Sequence, residues 1–151
     1  MNAAGLRLWT RPTAYISLLK AAGCVIAPDF SLYSDVPFAL NIYSHYRKHW
    51  CGAYWQKAGI IVIPTICWAG RSSFEYCFDG EPENSIVSVS SVGTQRANDT
   101  KAAFMLGYDA MLERLKPECI LFFGNVPKEC RGNIIPVEAF YKSIERRSKK
   151  V

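Results

Sequence analysis

Short apolar runs alternate along this chain with longer stretches in which apolar residues recur at helical spacing. The runs are Val25-Ile26-Ala27, residues 60–64, residues 86–89 and residues 119–123, with a weaker one at Ile134-Ile135. Each is too short and too uniformly apolar for a strand with one wet face, and suits a strand buried on both faces of a parallel sheet. Tyr15, Leu18, Leu19 and Ala22 predict a short helix stopped by Gly23. A long helix follows the polar turn 29–35, capped by Ser34 or Asp35, with Pro37 in its first turn, and runs to about Lys57 before Gly59. Val36, Leu40, Tyr43, Tyr46 or Arg47, Trp50 and Tyr54 mark its inward stripe, and His45, Lys48, His49 and Gln56 fall on the other side. Gly52 marks a bend or an earlier end. A short helical piece through Ser72, Phe74 and Cys77 leads into a turn-rich segment at 79–84. A helix opening at Asp99 or Thr100 carries Phe104, Tyr108, Met111, Leu112 and Leu115 and closes at Pro117, and a last one spans Val137 to about Arg147. Residues 1–12 give no strong signal.

Strand–helix–strand alternation predicts an α/β fold: a mostly parallel sheet of four to five strands with helices on both faces, a Rossmann-like three-layer sandwich. The length of 151 residues fits a single domain, ending in a basic tail at 146–151. Ligands of such sheets bind beyond the carboxyl ends of the strands. The residues that follow each strand are therefore the candidate site: Asp29 and Ser31, then Thr65 and Trp68, then Ser90, Ser91, Gly93 and Thr94, then Gly124 and Asn125.

Charge changes this picture little. Arg146, Arg147, Lys149 and Lys150 account for most of the net +5, and without them 14 basic residues face 13 acidic ones. The body is no nucleic-acid cradle, and contact with nucleic acid is left to the tail alone. The six cysteines are scattered with no C-x-x-C pair, the N-terminus has no secretory pattern, and no apolar run approaches the roughly 18 residues of a membrane span. A cytoplasmic protein with reduced thiols is expected, with Cys24 and Cys119 as small hydrophobes inside strands.

Ser90-Ser91-Val92-Gly93-Thr94 reads either as a capped strand-to-helix turn or as a phosphate-holding turn of hydroxyls and glycine-freed amides, without the lysine of a P-loop. Asp29 reads equally as a functional carboxylate and as a turn cap. Arg47, mid-helix near the inward stripe, either pairs a carboxylate or reaches a ligand anion. Trp68 follows a strand rather than lining a helix, which favours a ligand contact over core packing. His45 and His49 share a helical face, but the intervening Tyr46-Arg47-Lys48 includes two cations, so they read as a solvated basic face and no metal or other cofactor is expected.

The string Ala27-Pro28-Asp29-Phe30-Ser31-Leu32-Tyr33, with Tyr46-Arg47, Gln56, Gly59, Val62-Ile63-Pro64, Trp68, Cys77-Phe78-Asp79-Gly80 and Ser90-Ser91-Val92-Gly93, resembles a family of unknown function found in phages, plasmids and integrative elements of Gram-positive bacteria. The resemblance covers roughly residues 23–125 and implies a mobile-element setting without an assigned activity. Three functions stay open. The first is binding of a nucleotide-like or phosphorylated small molecule at the strand-end edge through Asp29, Ser31, Arg47, Trp68, Ser90, Ser91, Gly93, Thr94 and Asn125. The second is a non-enzymatic interaction protein, such as an inhibitor of a host defence factor. The third is a metal-dependent hydrolase or nuclease using Asp29 with Glu75 or Asp79.

Overall fold

The computed structural model describes residues 3–92 and 98–138, which divide into two compact units, Met1–Pro82 and Glu83–Val151. The fold is mixed α/β with parallel strands, as the alternation predicts. The first unit holds helices α1 (Ala3–Thr10) and α2 (Ile16–Ala22), strand β1 (Cys24–Ile26), the long helix α3 (Phe38–Lys57) and strands β2 (Ile61–Ile63) and β3 (Thr65–Ile66). The second holds β4 (Ile86–Ser90), helix α4 (Asn98–Leu115), β5 (Cys119–Phe123) and β6 (Ile134–Val137).

In the first unit β1 and β2 pair in parallel, Val25 opposite Val62, and the ladder gains one further bond from Ala27 N to the Ile63 carbonyl at 2.8 Å. Parallel partners require a crossover, and α3 supplies it. Its buried side is Asn41, Arg47, Lys48, Cys51, Gly52 and Trp55, whereas Leu40, Tyr43 and Tyr46 are exposed. This corrects the inward stripe read from the sequence in part: Arg47 rather than Tyr46 takes the shared inward position, Lys48 also points in, and Leu40, Tyr43 and Tyr46 point out. α3 runs unbroken through Gly52, where a Cβ would meet Val62 Cγ1 at 3.8 Å, an ordinary van der Waals contact. Its N-terminus also departs from expectation. Pro37 is the capping residue, and no side chain, neither that of Ser34 nor that of Asp35, caps the first turn.

Phe30, Cys51, Trp55 and Ile60 form the apolar centre of this unit, and Leu8, Trp9, Ile16, Leu19 and Val25 pack around it. Trp9 meets the rings of Trp50, Tyr43 and Tyr46 edge-on at 5.2 to 6.2 Å. Burial of this kind is worth roughly 1.5–3 kcal/mol per large apolar side chain. It explains why an eight-residue helix forms at α1, although a helix that short is marginal by itself.

In the second unit β4, β5 and β6 run in parallel, with Val87 opposite Ile120 and Leu121 opposite Ile135. α4 lays Phe104, Tyr108, Met111 and Leu115 into the core with Ile120 and Phe122. The buried Tyr108 hydroxyl donates to the Arg131 carbonyl at 2.8 Å. The C-terminal helix expected from Val137 onward and the basic tail lie outside the described residues, apart from Val137, which ends β6, and Glu138. None of the six cysteines is in a disulfide, and Cys24, expected as a small hydrophobe inside a strand, is exposed. No helix among the described residues is long and apolar enough to cross a membrane.

Candidate functional site

Beyond the carboxyl end of β1 the chain turns through Asp29-Phe30-Ser31-Leu32-Tyr33 before entering α3. Asn41 holds this turn like a clamp: its Oδ1 accepts from Tyr33 N at 3.0 Å and its Nδ2 donates to the Tyr33 carbonyl at 2.8 Å. Between the turn and the first half of α3 lies a cavity of about 300 Å³, lined by Asp29, Phe30, Ser31, Tyr33, Val36, Leu40, Asn41, Tyr43, Ser44 and Arg47. Arg47 is 4% exposed, and its guanidinium lies between two rings, 4.5 Å from the centre of Phe30 and 4.6 Å from that of Tyr43. The two π faces offset the loss of water around the guanidinium, each contributing about 0.5–2 kcal/mol. Arg47 Nη2 also donates to Ser44 Oγ at 3.1 Å.

Asp29 keeps an exposed surface at the cavity mouth, and Ser31 Oγ donates to its Oδ2 at 3.4 Å. The surrounding protein desolvates the carboxyl and raises its pKa, with Lys48 and the Ser31 hydroxyl pulling the other way. Of the residues singled out in the sequence, Asp29, Ser31 and Arg47 thus share one cavity.

Deeper in the same unit lies a second polar group that the sequence reading missed. Lys48 and Glu81, each 2% exposed at the side chain, form a buried ion pair, and Lys48 Nζ also donates to the Thr65 carbonyl at 2.9 Å. Burial pushes the Lys48 ammonium down, but Cys67 and Glu81 beside it outweigh this and its pKa is raised. Burial likewise pushes the Glu81 carboxyl up, but His49 and Lys48 bring it below its ordinary value.

His49 Nε2 stands 3.2 Å from Glu81 Oε1, and the His45 and His49 rings are 4.4 Å apart centre to centre. These histidines are half-buried, not a solvated basic face. Desolvation, with Lys48 and His49 nearby, lowers the His45 pKa to about 4, so its imidazole is neutral near pH 7. One ligand atom from each of His45, His49 and Glu81 lies within 4.8 Å of the other two. Asp29, Glu75 and Asp79, the carboxylates considered for a metal from sequence, form no such group among the described residues. The signal that was there to read was His-x-x-x-His together with a carboxylate 32 residues further on, behind the glycine turn Asp79-Gly80.

Trp68 is half-buried and does not line the cavity. In the second unit, Ser91 is 2% exposed, and its hydroxyl donates to the Asn125 carbonyl at 2.7 Å. Ser90 Oγ accepts from Val92 N at 3.2 Å. Ser90 thus bonds within the turn after β4, whereas Ser91 ties that turn to the one after β5. Gly124 (φ +95°) passes so close that a Cβ there would stand 2.9 Å from Ser91 Oγ. Gly93 and Thr94 lie outside the described residues.

A family model described as a domain of unknown function (DUF4417) matches residues 4–141. The chain is 38% identical over 144 residues to the Gene 1 protein of Mycobacterium phage D29, covering 95% of this chain and 53% of that protein. It is 36% identical over 142 residues to the Gene 1 protein of Mycobacterium phage L5, covering 94% of this chain and 62% of that one. The chain therefore spans little more than half the length of these phage relatives. No solved structure matches. Nearly the whole chain falls within the matched region, and it belongs to this phage-associated family, the domain of unknown function DUF4417.

Proposed function

We propose that the first unit binds a nucleotide-like or otherwise phosphorylated small molecule in the cavity between the 29–33 turn and α3. The observation that supports this is Arg47, a buried guanidinium stacked between Phe30 and Tyr43 at the wall of a cavity of about 300 Å³. That volume lies at the lower end of small-molecule sites, which are mostly apolar with a few fixed polar groups. Arginine is the side chain best suited to a phosphate or carboxylate, because its planar fork offers paired donors. In this reading the aromatic and aliphatic wall takes the apolar body of the ligand. Asp29 and Ser31 at the mouth accept from its hydroxyl or amino groups. Asn41, spent on the Tyr33 backbone, keeps the turn in shape.

Calorimetry of the full chain against nucleoside mono- and diphosphates, cyclic nucleotides and sugar phosphates tests the proposal. One of these should bind, and Arg47→Met should weaken it at least about tenfold, the loss of one charge-assisted hydrogen bond of about 1.5–3 kcal/mol. Arg47→Lys should recover only part, since it restores the charge without the fork. Absence of binding across the panel, or binding indifferent to both Arg47 and Asp29, refutes the reading.

A second reading, a non-enzymatic partner of a host protein, is favoured by Phe38, Leu40 and Tyr46, which stand on α3 at 62%, 54% and 52% exposure. If that face is the functional one, Phe38→Ser with Tyr46→Ser abolishes capture of a host protein and leaves ligand calorimetry unchanged.

A further inference from the structure

We propose that His45, His49 and Glu81 form a binding site for one divalent late first-row transition metal, with zinc the representative ion. The site is separate from the Arg47 cavity and does not depend on a ligand there. Two features of the chain bring its three donors together. On α3, residues four apart lie one above the other on one face, which sets the two imidazoles at a centroid distance of 4.4 Å. The turn Asp79-Gly80-Glu81 then closes over them. Gly80 has φ +75°, and a Cβ there would stand 3.3 Å from His49 Cε1 and 3.4 Å from its Nδ1. Only a glycine lets the turn approach the imidazole this closely without a shift.

The spacing is right for a metal. Tetrahedral centres with ligand bonds of about 2.0–2.2 Å hold their donor atoms roughly 3.3–3.6 Å apart. His49 Nε2 and Glu81 Oε1 already stand at 3.2 Å, and all three ligand atoms lie within 4.8 Å of one another. Closing the remaining gap takes small side-chain rotations.

The surroundings also prepare the ligands. His45 Nε2 is 3.2 Å from the Asp79 carbonyl. A carbonyl can only accept, so the ring proton of that hydrogen bond sits on Nε2 and Nδ1 keeps its lone pair. That Nδ1 is buried and has no hydrogen-bond partner. Metal-bound histidines are typically oriented this way, with the second nitrogen donating to a carbonyl or carboxylate. Lys48 plays the matching part for Glu81, fixing the carboxylate and keeping it ionised. The ammonium also lowers the affinity for any cation by its charge.

Two imidazoles and one carboxylate suit zinc, copper, nickel, cobalt or iron(II), whereas magnesium and calcium require all-oxygen shells. Three protein ligands leave a fourth position for water or a substrate atom, the pattern of catalytic rather than structural zinc.

The test uses the 151-residue chain, reduced and stripped with chelator, titrated with Zn²⁺ and Co²⁺. The site predicts one equivalent bound and a higher melting temperature with Zn²⁺. The Co²⁺ form should show d–d absorption without the sulfur-to-cobalt charge-transfer band that cysteine ligation gives. His49 is 29% exposed at its side chain, so His49→Gln should fold. It should weaken Zn²⁺ binding by about a hundredfold or more, at least the loss seen when outer-sphere partners are removed. His49→Cys, which restores a ligand, should recover binding and bring in the charge-transfer band. Failure to bind Zn²⁺ at micromolar concentration overturns the proposal. So does a charge-transfer band in the wild-type protein, or zinc binding and a melting shift that persist unchanged in both His45→Gln and His49→Gln.

Discussion

The Lys48–Glu81 pair gives the most decisive test of how the first unit is built. Both side chains are 2% exposed. Removing one member therefore leaves a buried charge that has lost its main counterion, at a cost of about 3–5 kcal/mol, whereas replacing both by apolar groups of similar size is often nearly neutral. Lys48→Met leaves the Glu81 carboxylate beside His49 without its ammonium partner and takes the Nζ donor from the Thr65 carbonyl, which 2.9 Å now separates from it. Glu81→Leu strands the ammonium instead. We expect about 3–5 kcal/mol of destabilisation from each single change. The double variant should lose about 1–2 kcal/mol, mostly the Thr65 hydrogen bond. The singles together then overshoot the double by several kcal/mol, a coupling at or beyond the upper end of what contacting pairs show.

All four tryptophans (Trp9, Trp50, Trp55 and Trp68) belong to the first unit, so urea unfolding followed by tryptophan fluorescence reports on the unit that holds the pair. With a slope of about 2 kcal/mol per molar urea, each single change lowers the midpoint by about 1.5–2.5 M. The experiment is run with chelator and reductant to remove any metal contribution. A pH arm gives an internal check. Glu81 in the wild type is held below its ordinary pKa by His49 and Lys48, so its contribution is present above the unfolded value of 4.5 and is lost as pH falls through the folded one. Without Lys48, burial dominates and the folded pKa rises above 4.5. Stability is then regained as pH falls, so the deficit of Lys48→Met narrows from pH 7 towards pH 5. A loss below about 1 kcal/mol for Lys48→Met, or a double variant that costs the sum of the singles, refutes the reasoning.

Three further outcomes follow from single contacts. Gly124→Ala, at φ +95° with its Cβ 2.9 Å from Ser91 Oγ, should destabilise by about 1–3 kcal/mol, whereas Gly52→Ala, mid-helix and 3.8 Å from Val62 Cγ1, should stabilise by about 0.5–1 kcal/mol; calorimetric melting that ranks the two the other way contradicts both. His45 is depressed to about 4 by burial and nearby cations, so the unfolded chain takes up its proton near 6.5 and the folded one does not. Stability in chelator should fall by about 1–2 kcal/mol between those values after discounting for the half-exposed ring, and His45→Gln should flatten that slope. Asn41→Ala removes two hydrogen bonds to Tyr33 and should cost about 1–3 kcal/mol, with hydrogen exchange rising at residues 30–35; unchanged exchange there would show that the turn holds its shape unaided.

The strands were legible as short apolar runs, but the burial on both faces expected of them fails at β1, β2 and β6, where Ile26, Ile61 and Ile135 are 37%, 67% and 49% exposed. Val25, Ile63, Val87 and Phe122 all sit in the ladders the runs predict. α4 was legible as well, its four large inward residues falling at helical spacing. α1 was not, since what makes it a helix is Leu8 and Trp9 packing on residues 20 to 50 positions away, and no local pattern carries that information. Asp29, Ser31 and Arg47 could be found from their places after a strand and on the crossover helix. The His45–His49–Glu81 group was legible only in its histidine half, because its carboxylate comes from a turn whose approach depends on Gly80 having no side chain.

α3 shows why these failures fall together. The sequence pattern places Lys48 outward and Leu40, Tyr43 and Tyr46 or Arg47 inward, yet here Arg47 and Lys48 are 4% and 2% exposed while Leu40, Tyr43 and Tyr46 are at 54%, 45% and 52%. Inverting a helix in this way sacrifices apolar burial and adds the desolvation of two cations, each several kcal/mol before its partners offset it. Chains depart from their own local rules mainly at functional or strained places. Arg47 is offset by two rings and a hydroxyl at the wall of a cavity, and Lys48 by a carboxylate and a carbonyl beside two histidines. Adjacent residues of one helix thus lie at two different polar groups, the two proposed above as an anion site and a metal site. Neither cation is needed to fold a βαβ unit, whose core is supplied by Phe30, Cys51, Trp55 and Ile60. The inverted face of α3 is therefore the first place to test for function, ahead of the strand-end hydroxyls of the second unit, which bond to Val92 N and to the Asn125 carbonyl.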